Sequence, residues 1–301
     1  EQTVQCRLLR LPLVPSGDYL WGVFEGLQAG TRDQVGDFYR IAYQDTDGVW
    51  QTINDPLAAS IPFGAFAPAE LYDLVTMQRE RADTDYFASL STTPDPDGVP
   101  RVDGPTNILQ LHVNTATAEG GLAALTLIYS TIAAKILNDE PLTPAEQNYV
   151  GYDAVQLMPI EPTIEYEEGA DFWRVTETMP EYELATVALR QPDMTNWGYD
   201  IVIAASPAVN PRLLNSGRPD ELVDFIAALH NFPGKPIKVV LDIVYGHADN
   251  QALPLLNHHY FAGANMYGQN LDYLQPVVRA VLLEMQRRKS GFGVDGIRVD
   301  G

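Results

Sequence analysis

The chain has 301 residues, 46% of them hydrophobic, with a formal net charge of −21 and a pI near 4.4. This is enough for one large α/β barrel, or for a small domain plus part of one, and the acidic surface excludes nucleic acid as a partner because nothing basic can replace its counterions. A single cysteine, Cys6, excludes an intrachain disulfide and a cysteine metal cluster.

No apolar run approaches the roughly 18–20 residues of a membrane helix, so no membrane partner is expected. The opening residues Glu1–Gln5 carry neither the basic nor the apolar region of a secretion signal, although a processed chain would look the same. A reducing, cytoplasmic setting is therefore the expectation. The acidity suits a protein working at high ionic strength.

Residues 1–75 read as a small β-sandwich. Short aromatic or branched runs at Leu8–Leu13, Tyr19–Phe24 and Phe38–Tyr43 alternate with turn chemistry at Pro15–Asp18, Gly30–Asp33 and Asp45–Gly48. The run Ile61–Pro68 reads as a packed connector. A linker rich in Asp, Pro, Thr and Gly is expected within 76–107.

From residue 108 to 301 the pattern is that of alternating strands and helices. Strands are expected at Ile108–Val113, Ala154–Ile160, Val239–Tyr245 and Gly296–Asp300. Helices are expected at Gly120–Leu137, Glu221–Phe232 and Leu271–Lys289, the last stopped by Gly291. Strands alternating with helices argue for parallel βα units, and nearly continuous apolar strands argue that both faces are covered. Ile201–Ile203 also looks strand-like.

Arg298 and Asp300 are two apart on the last strand and so point to one side. The arginine there would hold the carboxylate ionised and aim it, as a nucleophile in sugar chemistry requires. A purely structural ion pair at a strand end is an equal reading of that stretch alone. Asp242 is a charge within an apolar strand and needs a partner, for which Arg298 one strand along is suited. His247 lies just past that strand; it either donates to a bound hydroxyl or, as the more ordinary loop histidine, bonds backbone. In Asn196-Trp197-Gly198-Tyr199-Asp200 the Tyr199 ring is either a platform for the C–H face of a sugar or a core aromatic. His258, His259 and Asp249 lack a third ligand at useful spacing, which argues against a metal. The acidic run Glu165-Tyr166-Glu167-Glu168 reads as a solvated loop.

Asp242-x-x-x-x-His247, then Gly296-x-Arg298-x-Asp300, with N-W-G-Y-D upstream, resembles in order and spacing the α-amylase family of retaining glycoside hydrolases and transglycosylases. The resemblance covers about Ile108 to the end. It implies a (β/α)8 barrel of which these residues form the first four βα units, with the site on the C-terminal loops. It implies Asp300 as nucleophile, Arg298 as its orienting partner, Asp242 and His247 as walls of the pocket for a non-reducing glucose, and Tyr199, on the loop opened by Asn196, stacked beneath that glucose. The N-terminal part is similar to the module that precedes the barrel in branching, debranching and trehalose-forming members.

Two departures stand out. The family's third-strand motif usually has an asparagine before the histidine, and in many members it ligates calcium. Gly246 stands there, so no cofactor is expected and calcium is doubtful. The family's acid/base glutamate on the fifth strand and its transition-state-stabilising aspartate after the seventh have no counterpart in these residues, so the natural chain is expected to continue past Gly301. Within the family, D-I-V-Y-G-H-A-D-N (242–250), H-H-Y-F-A-G-A-N (258–265) and residues 60–70 are most similar to glucosylglycerol hydrolases of salt-tolerant bacteria. The expected substrate is therefore a small α-glucoside, 2-O-α-glucosylglycerol. A polymer-acting branching or debranching enzyme, a trehalose-forming enzyme, or a non-catalytic carbohydrate-binding subunit are the alternatives. Aglycone specificity, the choice of acceptor and oligomeric state are not legible.

Overall fold

The computed structural model describes residues 2–90, 103–165, 173–190 and 193–301. Its centre is a parallel sheet of four strands, Ile108–Leu111, Ala154–Leu157, Lys238–Val244 and Gly296–Asp300, lying side by side in chain order. Consecutive strands pair in register, with Leu111 beside Leu157 and Leu157 beside Leu241. The third strand, KVVLDIV, is buried from Val239 onward, as expected of a strand covered on both faces. Among the described residues the sheet is open and does not close into a barrel.

Helical periodicity predicts the intervening helices to within a few residues. Leu122–Leu137 buries Leu122, Leu125, Tyr129 and Ile132 along one stripe. Asp220–His230 buries Leu222, Phe225, Ile226 and Leu229, and these side chains join the same core. The third helix runs Pro276–Gly291 rather than from Leu271. Leu271 instead ends a strand, Gly268–Leu271, paired with Phe261–Asn265. Asp272 then turns the chain by accepting from the Leu274 amide at 3.0 Å, and Pro276 opens the helix.

The N-terminal region departs most from expectation. Two stacked sheets are not formed among the described residues of 1–75; the strands there pair two by two, at Val14–Ser16 with Tyr19–Trp21, Phe38–Tyr39 with Ala69–Glu70, and Ile41–Gln44 with Trp50–Ile53. Leu8–Leu13 forms no strand. Instead Gln2–Arg7 pairs antiparallel with Leu184–Leu189, which pairs with Trp173–Met179. This sheet is built partly from a segment between the second and third parallel strands, where no strand was expected. Its burial is thin: Ala185, Val187 and Leu189 form a small core of their own beside Phe63 and Trp173.

Residues 58–77 belong physically to the large core, where Ala58, Ile61, Ala65, Ala69 and Met77 are buried with the parallel strands. Glu70 fastens them there. Its fully buried carboxylate accepts from the Gly36 amide (2.7 Å), the Ser60 hydroxyl (2.6 Å) and the Arg218 guanidinium (2.6 Å). Arg32 adds a two-pronged ion pair to Asp224 at 2.5 and 2.8 Å on the neighbouring helix. The expected linker holds two short helices, Leu74–Arg79 and Thr84–Leu90; its residues 91–102 lie outside the described residues.

At the N-terminal end of the sheet His230 lies between two carboxylates, with Nδ1 2.6 Å from Asp83 and Nε2 2.9 Å from Asp295. Asp295 also accepts from the Val239 amide at 2.7 Å, and Arg81 clamps Asp83. Burial alone would lower the imidazole's pKa, but the bonds to Asp295 and Asp83 outweigh it and hold the pKa raised. Asp83 is likewise held low by His230 and Arg81 against the effect of its burial. A raised histidine contributes stability that is fully present below its unfolded pKa of about 6.5 and is lost as pH rises through the folded value. His230→Gln should cost about 3–5 kcal/mol below pH ~6.5, because it leaves the buried Asp295 carboxylate without a cation and Asp83 with Arg81 alone. Urea midpoints across about pH 6 to 9 should show the gap between parent and variant narrowing as pH rises; a constant gap would mean that the ring is neutral.

Candidate active site

The third and fourth parallel strands are registered so that Asp242 lies beside Arg298 and Val244 beside Asp300. Side chains alternate along a strand, so this register puts Asp242, Arg298 and Asp300 on one side at the C-terminal end of the sheet. A single arginine nitrogen joins them: Arg298 Nη1 lies 2.8 and 2.9 Å from the two Asp242 oxygens and 2.6 Å from Asp300 Oδ1. The Asp242 carboxylate is fully buried, whereas Asp300 keeps 29% of its side-chain surface exposed.

A buried carboxylate is costly unless its oxygens are bonded. Besides Arg298, Asp242 Oδ2 accepts from the Tyr199 hydroxyl at 2.8 Å and more weakly from Gln156 Nε2 at 3.4 Å. Gln156 is a polar residue inside an apolar strand, the same signal that marked Asp242, and the sequence reading passed over it. Burial and the bond to Asp242 push the Tyr199 phenol up to about 12, so it stays a proton donor to the carboxylate at neutral pH. The bond to Asp242 likewise raises the Arg298 pKa, fixing its positive charge between the two acids.

Tyr199 is aimed by its own loop. Gly198 has φ of +111°, and a Cβ there would sit 2.6 Å from the Pro159 carbonyl oxygen, so only glycine fits. Asn196 Oδ1 accepts from the Gly198 amide at 2.8 Å. Asn196 Nδ2 and Trp197 Nε1 both donate to Asp200 Oδ2, at 2.9 and 3.0 Å. Asn196 thus shapes the turn that carries Tyr199. His112, just past the first parallel strand, meets the Asn196 carbonyl at 2.9 Å and was not anticipated. The strand expected at Ile201–Ile203 is a buried turn with one bridge, Thr163 to Ile201.

His247 places Nε2 3.3 Å from the Tyr199 carbonyl, the backbone bond of the ordinary loop histidine. Its ring is also covered by Tyr267, with centroids 5.0 Å apart and planes at 28°. The only sequence signal for Tyr267 is the turn chemistry of Asn265 and Gly268 around it, which marks a hairpin.

Gly246 explains the departure in the third-strand motif. A Cβ at this position would meet Gly301 Cα at 2.9 Å, its carbonyl carbon at 3.0 Å and its oxygen at 3.1 Å. The two glycine backbones lie against each other just past the ends of neighbouring strands, where the Tyr245 amide donates to the Asp300 carbonyl at 3.0 Å. Position 246 therefore offers no side-chain ligand for a cation. His258 and His259 lie with ring centroids 3.9 Å apart, and no group of three or more candidate ligands occurs among the described residues. Glu165, expected in a solvated loop, is buried, and burial pushes its carboxyl up to about 8; residues 166–168 lie outside the described residues. No helix among the described residues is long and apolar enough to cross a membrane.

The family described as "Hypothetical glycoside hydrolase 5" matches residues 1–301. The chain belongs to this glycoside hydrolase family. No curated protein matches it. Among solved structures it is similar in fold to a pullulanase from Bacillus acidopullulyticus, with a TM-score of 0.55 and 18% identity over 99% of this chain and 36% of that one. A pullulanase complexed with maltotriose from Anoxybacillus sp. LM18-11 gives 0.52 and 17% over 87% and 35%. A candidate alpha amylase from Salmonella typhimurium gives 0.54 and 19% over 91% and 38%. This glycoside hydrolase chain therefore spans little more than a third of the length of the amylase-type proteins whose fold it shares.

The glycine contact is directly testable. Gly246→Asn drives a side chain into the Gly301 backbone. It should lower stability by about 1–3 kcal/mol, as overpacking does, measured from the thermal unfolding midpoint. An unchanged midpoint would show that the chain after Asp300 gives way freely.

Proposed function

We propose that this chain carries the glucose-binding and nucleophilic part of a retaining α-glucosidase acting on a small α-glucoside, with 2-O-α-glucosylglycerol as the favoured substrate. The single observation that supports it most is the Arg298 Nη1 bridge between a fully buried Asp242 and a partly exposed Asp300. Such a bridge keeps Asp300 aimed and reachable.

In this reading the fully buried Asp242 acts through Arg298 and Tyr199, which it holds in place, while His247 meets a hydroxyl of the glucosyl unit and Tyr199 lies against its ring. Asp300 attacks the anomeric carbon as the bond to the glycerol oxygen breaks, giving a covalent glucosyl ester through an oxocarbenium-like transition state. A second carboxylic acid, about 5–5.5 Å from the nucleophile in retaining enzymes, protonates the leaving oxygen and then activates water. It is taken to come from a later barrel strand and is assigned to none of these 301 residues. The chain is taken to act in the cytoplasm on a soluble substrate, with no metal or cofactor.

A polymer-acting enzyme is the second reading, favoured by the likeness to pullulanases, one of which is complexed with maltotriose. Retention on glycogen or amylopectin in an affinity gel would support it. A non-catalytic carbohydrate-binding subunit is opposed by the complete Asp242–Arg298–Asp300 set.

Proton NMR of the whole protein with 2-O-α-glucosylglycerol should show α-glucose and glycerol from the first turnover. Asp300→Asn should keep the fold and lower turnover by several orders of magnitude. Near-parental turnover would remove Asp300 as nucleophile, and β-glucose appearing first would remove retention.

A further inference from the structure

The strand pair after the third parallel strand does no work in the reading above. Phe261–Asn265 and Gly268–Leu271 form a hairpin whose second strand also pairs with His247–Ala248, so it grows directly from the site. Its tip is Met266-Tyr267, and several constraints fix it. Asn265 Oδ1 accepts from the Tyr267 amide at 2.8 Å, and its Nδ2 donates to Asn270 at 2.7 Å. Gln269 Nε2 donates to Asn250 at 2.8 Å. Gly268, at φ +133°, lies so close to the 248–250 backbone that a Cβ would come within 2.8 Å of Asp249 Cα. The hairpin cannot lift away without losing the Gln269–Asn250 bond and the Gly268 contact. Yet the Tyr267 side chain it presents is 60% exposed and is held flat on His247.

Unbroken contacts run from the nucleophile candidate to this ring. Asp300 meets Arg298, which meets Asp242, which meets the Tyr199 hydroxyl; the Tyr199 carbonyl meets His247, and His247 lies under Tyr267. In a pyranose C1 and C4 lie on opposite sides of the ring. A glucosyl unit with C1 at Asp300 that reaches His247 with a hydroxyl of its far side therefore points its O4 side toward Tyr267.

We propose that Tyr267 is the end wall of the glucosyl pocket: the rigid hairpin places its ring where a second sugar linked to O4 would have to sit, restricting the donor side to one terminal glucose. This rests on the α-glucosidase reading. It accounts for specificity by a steric block, which discriminates against a longer chain without adding affinity for the short one.

The test compares initial nitrophenol release by the whole protein from p-nitrophenyl α-glucoside and p-nitrophenyl α-maltoside. Direct release from the maltoside, with maltose as first co-product, requires a sugar beyond the wall. In Tyr267→Ala the maltoside-to-glucoside ratio of kcat/KM should rise about tenfold or more, and Tyr267→Phe, which keeps the ring, should retain the parental ratio. The exposed tip position makes unfolding by either change unexpected, and circular dichroism checks it. A ratio within twofold of the parent, a fall in the ratio, or a parent that already releases maltose as readily as glucose overturns the wall while leaving the glucosidase standing. A parent that cleaves neither substrate overturns the glucosidase reading itself, and the wall with it.

Discussion

The buried Asp242 carboxylate is the constraint to which the rest of the site answers. A charge with no solvent exposure persists only if its neighbours supply both a cation and hydrogen bonds. Arg298 supplies the cation from the next strand, Tyr199 a hydroxyl from the loop after the second strand, and Gln156 a weaker amide from that strand itself. The guanidinium recruited to Asp242 also touches Asp300. One solvation requirement therefore fixes the strand register, the loop conformation and the orientation of the exposed carboxylate together. Replacing Asp242 would remove the reason for the other three to stand where they do.

The same two strands are held at their opposite end by different chemistry. Asp295, immediately before the fourth strand, bonds the Val239 amide at the start of the third and shares His230 with Asp83. Strand–strand registry is thus specified twice, by a carboxylate–imidazole–carboxylate bridge below and by the arginine bridge above. Errors of one residue would invert every side chain between them.

Much of this was legible in the sequence because it depends on short-range periodicity. The parallel strands and the faces of the helices follow from apolar spacing. Asp242 was marked by being charged where the pattern demanded an apolar residue, and Arg298 by standing two residues from Asp300 on one strand. What escaped depends on partners remote in sequence. Nothing local tells Gln2–Arg7 that its partner is Leu184–Leu189, so the N-terminal runs looked like a self-contained sandwich. The helix expected from Leu271 lost its first residues to a hairpin, because a short apolar run before Pro276 suits either state until its pairing is known. Gln156, His112 and Tyr267 were overlooked for a related reason, since each acquires its meaning from a residue on another element. Gly246 was seen only as a departure from a motif, and Gly301 gives it a physical cause.

The pairing of Gln2–Arg7 with Leu184–Leu189 has a consequence for biogenesis. The two strands are separated by roughly 180 residues of chain. At translation rates of about 5–20 residues per second, the first waits on the order of ten to forty seconds for the second to be made. During that interval its ladder groups are open to any other edge, and the apolar side chains of Leu8–Leu13 beside it are exposed even in the finished fold. The burden of keeping the nascent chain from misassembly therefore falls on the earlier of the two strands. In a crowded cell this strand would be a natural target for a chaperone that binds extended, apolar peptide.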